Sequence, residues 1–195
     1  MSISETSIVN MSLARIGATR INDFDTPDAG SSVNARHCKT HYEQTRDALL
    51  RSFEWSFATK RVALSVETAT PAYGYDYQFA LPADYLRMIS SDILDDNDDT
   101  KDIFKLENGK FLTDESAVYI KYIYKVTDPA KFDPLFTEVL VLQLAMKLVM
   151  PIAQDKVLRR EIFDELNFLM SRARTICKQE QNTTGRSDWN LERFS

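Results

Sequence analysis

Apolar residues recur along the chain with two different periods, and the switch between them divides it. Val9, Leu13 and Ile16 are spaced by four and three, one face of a helix over about 5–16, and Gly17 stands where a helix commonly stops. The stretch 22–32, NDFDTPDAGSS, gathers Asn, Asp, Pro, Gly and Ser and reads as a loop ending in good capping residues. A second helix is predicted over about 31–53, with Ala35, Cys38, Tyr42, Leu49 and Phe53 on one side. Its other side carries Arg36, Lys39, Glu43, Arg46 and Asp47 and is expected to face solvent or a partner. In FEWSF, 53–57, the aromatic residues alternate, so the period turns from helical to extended.

From Arg61 to about Tyr124 the stretches RVALSVE, RMISSDIL, DIFKLENGKFLTD and AVYIKYIYKV are rich in β-branched and aromatic residues, and predict a small sheet of four or five strands. Asn108-Gly109 is the best hairpin signal, because a two-residue turn of this kind needs positive φ at both positions. Helices resume after DPAKFDP, 128–134, with Asp133 as cap and Pro134 at the first helical position. Leu135, Val139, Leu142, Met146 and Val149 form one stripe, and Leu140, Leu144 and Leu148 a second, so this helix belongs in the middle of a bundle. Pro151 ends or kinks it, and a last helix over about 154–179 carries Leu158, Ile162, Leu166, Leu169, Ala173 and Ile176 on one face. The order predicts an α+β chain: residues 1–57 and 128–180 form a helical bundle, 58–127 an inserted subdomain with a small antiparallel β-sheet, and 181–195 a C-terminal tail.

Composition narrows the function. The 195 residues are 44% hydrophobic and 27% charged, in the range of a folded globular chain. Against 24 Lys and Arg stand 29 Asp and Glu, a formal charge of -5, which argues against a protein that holds nucleic acid by neutralising phosphates. Cys38 and Cys177 both fall within helical patterns and are expected as free, packed thiols. The start, MSISETS, has neither a basic leader nor an apolar core, so no secretory signal is expected. The most apolar run, 135–150, is interrupted by Glu138, Gln143 and Lys147 and falls short of the roughly 20 residues that cross a bilayer, so a buried helix is expected and no membrane partner.

The candidate chemistry is incomplete wherever it arises. HCKTH places His37 and His41 one helical turn apart with Cys38 beside them, the spacing of helical zinc motifs, but without the catalytic Glu or a third ligand. DILDDNDDTKD, 92–102, concentrates Asp92, Asp95, Asp96, Asp98, Asp99 and Asp102, yet lacks the glycine turn of a calcium loop and reads as a solvated acidic loop. No phosphate-cradling glycine loop or nucleophile elbow is present. The aromatic residues at 53–57 and the run Tyr73, Tyr75, Tyr77, Phe79 are read as closing the junction between bundle and sheet rather than stacking bases. No catalytic site, cofactor or metal is therefore expected.

The C-terminus, GRSDWNLERFS, sets Trp189, Leu191 and Phe194 among Arg186, Asp188, Glu192 and Arg193, large apolar groups where a free end usually turns small and polar. Residues 5–57, with a first helix ending in Ile-Gly, a loop, a long helix and an aromatic cluster ending in Trp and Phe, resemble the N-terminal half of the head-to-tail adaptors of short-tailed bacteriophages, the tail tubular protein A family. FALPADYLRM, 79–88, is similar to a second family segment, matched by Leu81, Pro82, Asp84, Tyr85, Leu86 and Arg87. The resemblance implies a non-enzymatic virion protein, made in the host bacterial cytoplasm. Such adaptors form a dodecameric ring beneath the portal protein, join it to the tail nozzle protein, and line part of the channel through which double-stranded DNA passes without specific binding. It further implies that the tail docks on the portal, with Trp189, Leu191 and Phe194 as anchors and Arg186 and Arg193 pairing acidic groups. The other reading is a soluble α+β protein that binds metal through HCKTH, or nucleic acid; bound metal lost on His41→Ala, or a steep salt dependence of DNA affinity, marks it.

Overall fold

Helix α1, Glu5–Arg15, begins on Ser4, whose hydroxyl accepts the Ser7 amide proton while Ser7 returns the bond to the Ser4 amide, so two otherwise orphaned donors are satisfied. It ends where Gly17 takes a φ of 68°, which lets the Ala18 and Gly17 amides fold back onto the Leu13 and Ala14 carbonyls. These elements belong to a computed structural model that describes residues 3–23, 33–93 and 103–181. Two compact units are present, one made of 1–57 with 127–195 and one of 58–126.

In the helical unit, α2 (Val33–Ser52), α3 (Pro134–Leu148) and α4 (Lys156–Gln181) join α1, and α3 packs against the other three. Its two apolar stripes are both used: Phe136, Val139, Leu140, Leu144, Ala145 and Leu148 are fully buried. Asp133 caps α3 by accepting the Leu135 and Phe136 amides, with Pro134 in the first turn where its missing N–H costs nothing. Beyond Leu148 the helix loosens into a π turn, Val149–Ala153, around Pro151, and closes at Gln154 in the left-handed region. The run Pro134–Ala153 thus reaches the length and apolarity of a bilayer span, and burial within the bundle accounts for that apolarity.

Two expectations for this unit are corrected. Arg46 does not face out: it is buried, its Nε donates to Asp47 Oδ1 at 2.8 Å, and its guanidinium lies 3.6 Å from Glu5 and over the Tyr42 ring. A stripe count assigns every charge outward, but two carboxylates and a long apolar stem make this position tolerable inside. FEWSF is not extended either; it runs irregularly into a 3₁₀ turn, Ser56–Ala58. Phe53 and Phe57 converge on buried Trp55 instead of alternating, and Trp55 packs edge-to-face on Phe136 with centroids 5.1 Å apart. Trp55 Nε1 also donates to the Leu49 carbonyl at 3.0 Å, satisfying one of the free carbonyls at the end of α2. Phe132 completes the cluster, so the aromatic residues of 53–57 serve the helical unit's own core.

Among its described residues the second unit holds not one sheet but two, both antiparallel. Strands β1 (Thr59–Ala63), β7 (Tyr119–Tyr124) and β4 (Tyr85–Ser91) form the first, in the order β1-β7-β4. The second contains β2 (Ser65–Val66), β3 (Tyr77–Ala80), β6 (Lys110–Thr113) and β5 (Phe104–Glu107), in the order β2-β3-β6-β5. The chain passes from one to the other at Leu64, whose amide donates to the Val118 carbonyl, and RVALSVE is therefore two strands. Leu64, Phe79, Phe111, Val118, Ile120 and Tyr122 meet in one core, with Phe104 stacked on Phe111. Asn108 and Gly109 adopt φ of 49° and 72°, the paired positive values of a tight hairpin turn between β5 and β6. Phe79 is interior to this core while Tyr73 is exposed, so the Tyr73–Phe79 run is a strand and its approach.

Candidate assembly surface

The residues singled out at the C-terminus, Arg186, Trp189, Leu191, Arg193 and Phe194, lie outside the described residues, as do Asp95, Asp96, Asp98, Asp99 and Asp102 of the acidic loop. Asp92 is described, and it serves the sheet. Its carboxylate accepts the Tyr119 amide at 2.8 Å and its own amide donates to the Tyr119 carbonyl, extending the β4–β7 pairing.

HCKTH falls on α2, where Cys38 is fully buried and His37 and His41 are half-buried. Burial pushes the Cys38 thiol up to about 11, the opposite of what a nucleophile or a metal-binding thiolate needs. His41 is held below the ordinary imidazole value by burial, then by the charges of Lys147 and His37, which favours its neutral form. Among the described residues no group of three or more His, Cys, Asp or Glu side chains is placed to hold a metal ion. Cys177 is likewise pushed up by burial, then by Asp133 and Glu180.

LPADYLRM proves to be a structural joint. Asp84 sits before β4 and accepts from Lys60 Nζ at 2.6 Å and from the Tyr122 hydroxyl at 2.9 Å, while its carbonyl accepts the Lys125 amide at 2.7 Å. One residue therefore ties together the chain entering β1, the start of β4 and the end of β7. Lys60 also lies 3.8 Å over the Tyr124 ring, and Tyr85 stacks on Tyr122. Burial alone raises the Asp84 carboxyl, but the hydrogen bonds from Lys60 and Tyr122 and the Lys60 charge outweigh it, so the group lies below the ordinary carboxylate value. Burial, followed by the bond to Asp84, pushes Tyr122 up to about 12.

What sequence reading missed is a cleft on the helical unit. Met11 and Ala14 of α1, Val141 and Leu142 of α3, and Phe168 and Leu169 of α4 line a mostly apolar recess of about 720 Å³, to which α3 also adds Thr137 and Glu138. An ion pair between Arg15 and Glu165, 3.3 Å long, crosses its edge from α1 to α4. Phe168 is 72% exposed and Met11 41%, so two large apolar side chains stand in water beside a concavity of similar chemistry. Covering a side chain such as Phe168 releases about 1.5–3 kcal/mol, which makes this face suited to a protein surface rather than to a charged ligand. The sequence did carry a signal: Phe168 falls off the Leu158-to-Ile176 stripe that buries α4. Comparison with protein-family models and with curated proteins gives no match.

Proposed function

We propose that the chain is a structural subunit of a head-to-tail connector, a ring of copies that sits beneath a phage portal and joins it to the tail nozzle. The observation that carries this reading is the apolar cleft with uncovered Met11 and Phe168, a surface that a second protein must cover to remove it from water. The family likeness of residues 5–57 and of LPADYLRM supplies the kind of assembly, and the insertion of strands between α2 and α3 agrees with that likeness. Cys38, buried and held protonated, is not poised to act as a nucleophile. In this assembly Trp189, Leu191 and Phe194 anchor the tail on the portal, flanked by Arg186 and Arg193.

Mixing the purified chain with portal rings and measuring the mass of the product tests the reading. A ring of copies on each portal is the expected result. Met11→Asp with Phe168→Asp should prevent the ring while leaving the melt within the small range usual for exposed positions. One or two copies per portal, or a full ring from the doubly substituted chain, overturns it.

A further inference from the structure

The start of α4 breaks an electrostatic rule. A helix N-terminus carries partial positive charge and favours acids in its first turn, yet α4 has none there and instead has Lys156 and Arg159, with Arg160 following. Asp155 is occupied as the cap, accepting the Val157 and Leu158 amides. Glu161 and Asp164, the other acids on these turns, make no ion pair with the three cations, and no other described residue does. Between these cations Met146 and Met150, on α3 and the π turn that follows it, and Phe163 of α4 form an apolar floor, so the six side chains line one open groove. Unpaired positive charge on an adaptable methionine and phenylalanine floor is the chemistry that accepts an acidic peptide carrying apolar residues.

The chain itself contains such a peptide. Residues 92–102, DILDDNDDTKD, hold six aspartates against one lysine and include Leu94 within the acidic run. We propose that the groove formed by Met146, Met150, Lys156, Arg159, Arg160 and Phe163 receives the acidic stretch Asp95–Asp102 of a second copy of the chain. The inference rests on the reading that copies assemble side by side, and it names the contact. A groove on one copy and a peptide from the next make a head-to-tail joint, the type whose repetition closes a ring. The same pairing gives the acidic stretch a binding role on a neighbour, in place of solvation alone.

The test is zero-length carbodiimide coupling, which joins a lysine amine to a contacting carboxylate. It is applied to an equal mixture of ordinary and nitrogen-15-labelled full-length chains, both on portal rings and alone at high concentration. The expected product links Lys156 to a peptide containing Asp95–Asp102, with mixed-isotope pairs as abundant as same-isotope pairs. Arg159→Glu with Arg160→Glu should lower its yield about tenfold, since two charge contacts are lost and replaced by repulsion. Combining that chain with one bearing Asp95→Lys, Asp98→Lys and Asp99→Lys should restore association seen by sedimentation, because the altered groove then meets the altered peptide, and the native groove the native peptide, each with opposite charge. Same-isotope links alone place the acidic stretch on its own chain and overturn the proposal. So does an unlinked Lys156, or a groove variant that loses retention of added duplex DNA while copies still associate fully. If portal recruits no ring but the concentrated chain gives mixed-isotope links, the connector reading falls and the groove assignment stands. If rings form and Lys156 stays unlinked, only the assignment falls.

Discussion

Replacing Trp55 separates what its ring contacts contribute from what the indole bond to the Leu49 carbonyl contributes. The indole is buried, lies edge-to-face against Phe136 and Phe53, and donates from Nε1 to the Leu49 carbonyl. Trp55→Ala removes all of this and leaves a cavity among rings that cannot collapse, an effect of about 3–5 kcal/mol. Trp55→Phe keeps most of the ring contact and removes the indole donor, while the Leu49 carbonyl keeps the Ser52 hydroxyl at 2.8 Å, so the cost is about 0.5–1.5 kcal/mol. For a chain of this length, about 4 kcal/mol corresponds to a drop in Tm of roughly 8–16 °C. Urea unfolding followed by circular dichroism at 222 nm reports mainly on the four helices and so on the unit that contains Trp55. The expected order is wild type, then Trp55→Phe, then Trp55→Ala, with the second step the larger. A loss below about 1 kcal/mol for Trp55→Ala would refute the reasoning, since burial of this size cannot be that cheap.

Deleting Ser187–Ser195 should leave the melt nearly unchanged but abolish co-sedimentation with portal rings, and Trp189→Ala and Phe194→Ala should give partial versions of the defect. Asp84 has a folded value below its unfolded one, so its stabilisation is present above about pH 4 and is lost as pH falls through the folded value; Tyr122 is raised to about 12, so its share is present below about pH 10 and is lost as pH rises through about 12. Tyr122→Phe should therefore remove the Tyr122 share of the alkaline loss measured by urea midpoints, leaving that of buried Tyr42, which burial also raises. Gly109→Ala forces a side chain into φ of 72° and should cost about 1 kcal/mol by the same assay. Cys38, buried and raised to about 11, should fail to react with a thiol reagent at pH 8 until denaturant is added.

The elements whose limits are set by local chemistry were legible in the sequence. Asn108-Gly109 announces its turn because few residues tolerate positive φ, and Asp133-Pro134 announces a helix start because the cap and the missing N–H are both local facts. Features that depend on distant partners were not. Arg46 is buried because Glu5, on another helix, meets it, and no period along α2 contains that information. The three aromatic residues of FEWSF alternate as a strand would, yet Phe132 and Phe136, far along the chain, decide where they point. Two sheets read as one because the crossing occurs within a single residue, Leu64, inside an otherwise continuous β-like stretch. The cleft required three helices to be placed side by side before its lining existed, and only the stray Phe168 hinted at it.

The pairing of β1 with β7 has a bearing on how the chain folds. Thr59 lies opposite Ile123, so the polypeptide enters and leaves the strand unit one strand spacing apart, about 5 Å. Once that unit has formed, the long segment between α2 and α3 acts on the helices as a connection of a few residues. Going from a loop of about four residues to one of about 64 is four doublings, about 2.5 kcal/mol of closure entropy, and the prefolded strands remove it from the helices' side of the balance. With the strand unit formed, bringing α3 and α4 to α1 and α2 therefore closes a short connection rather than a long one.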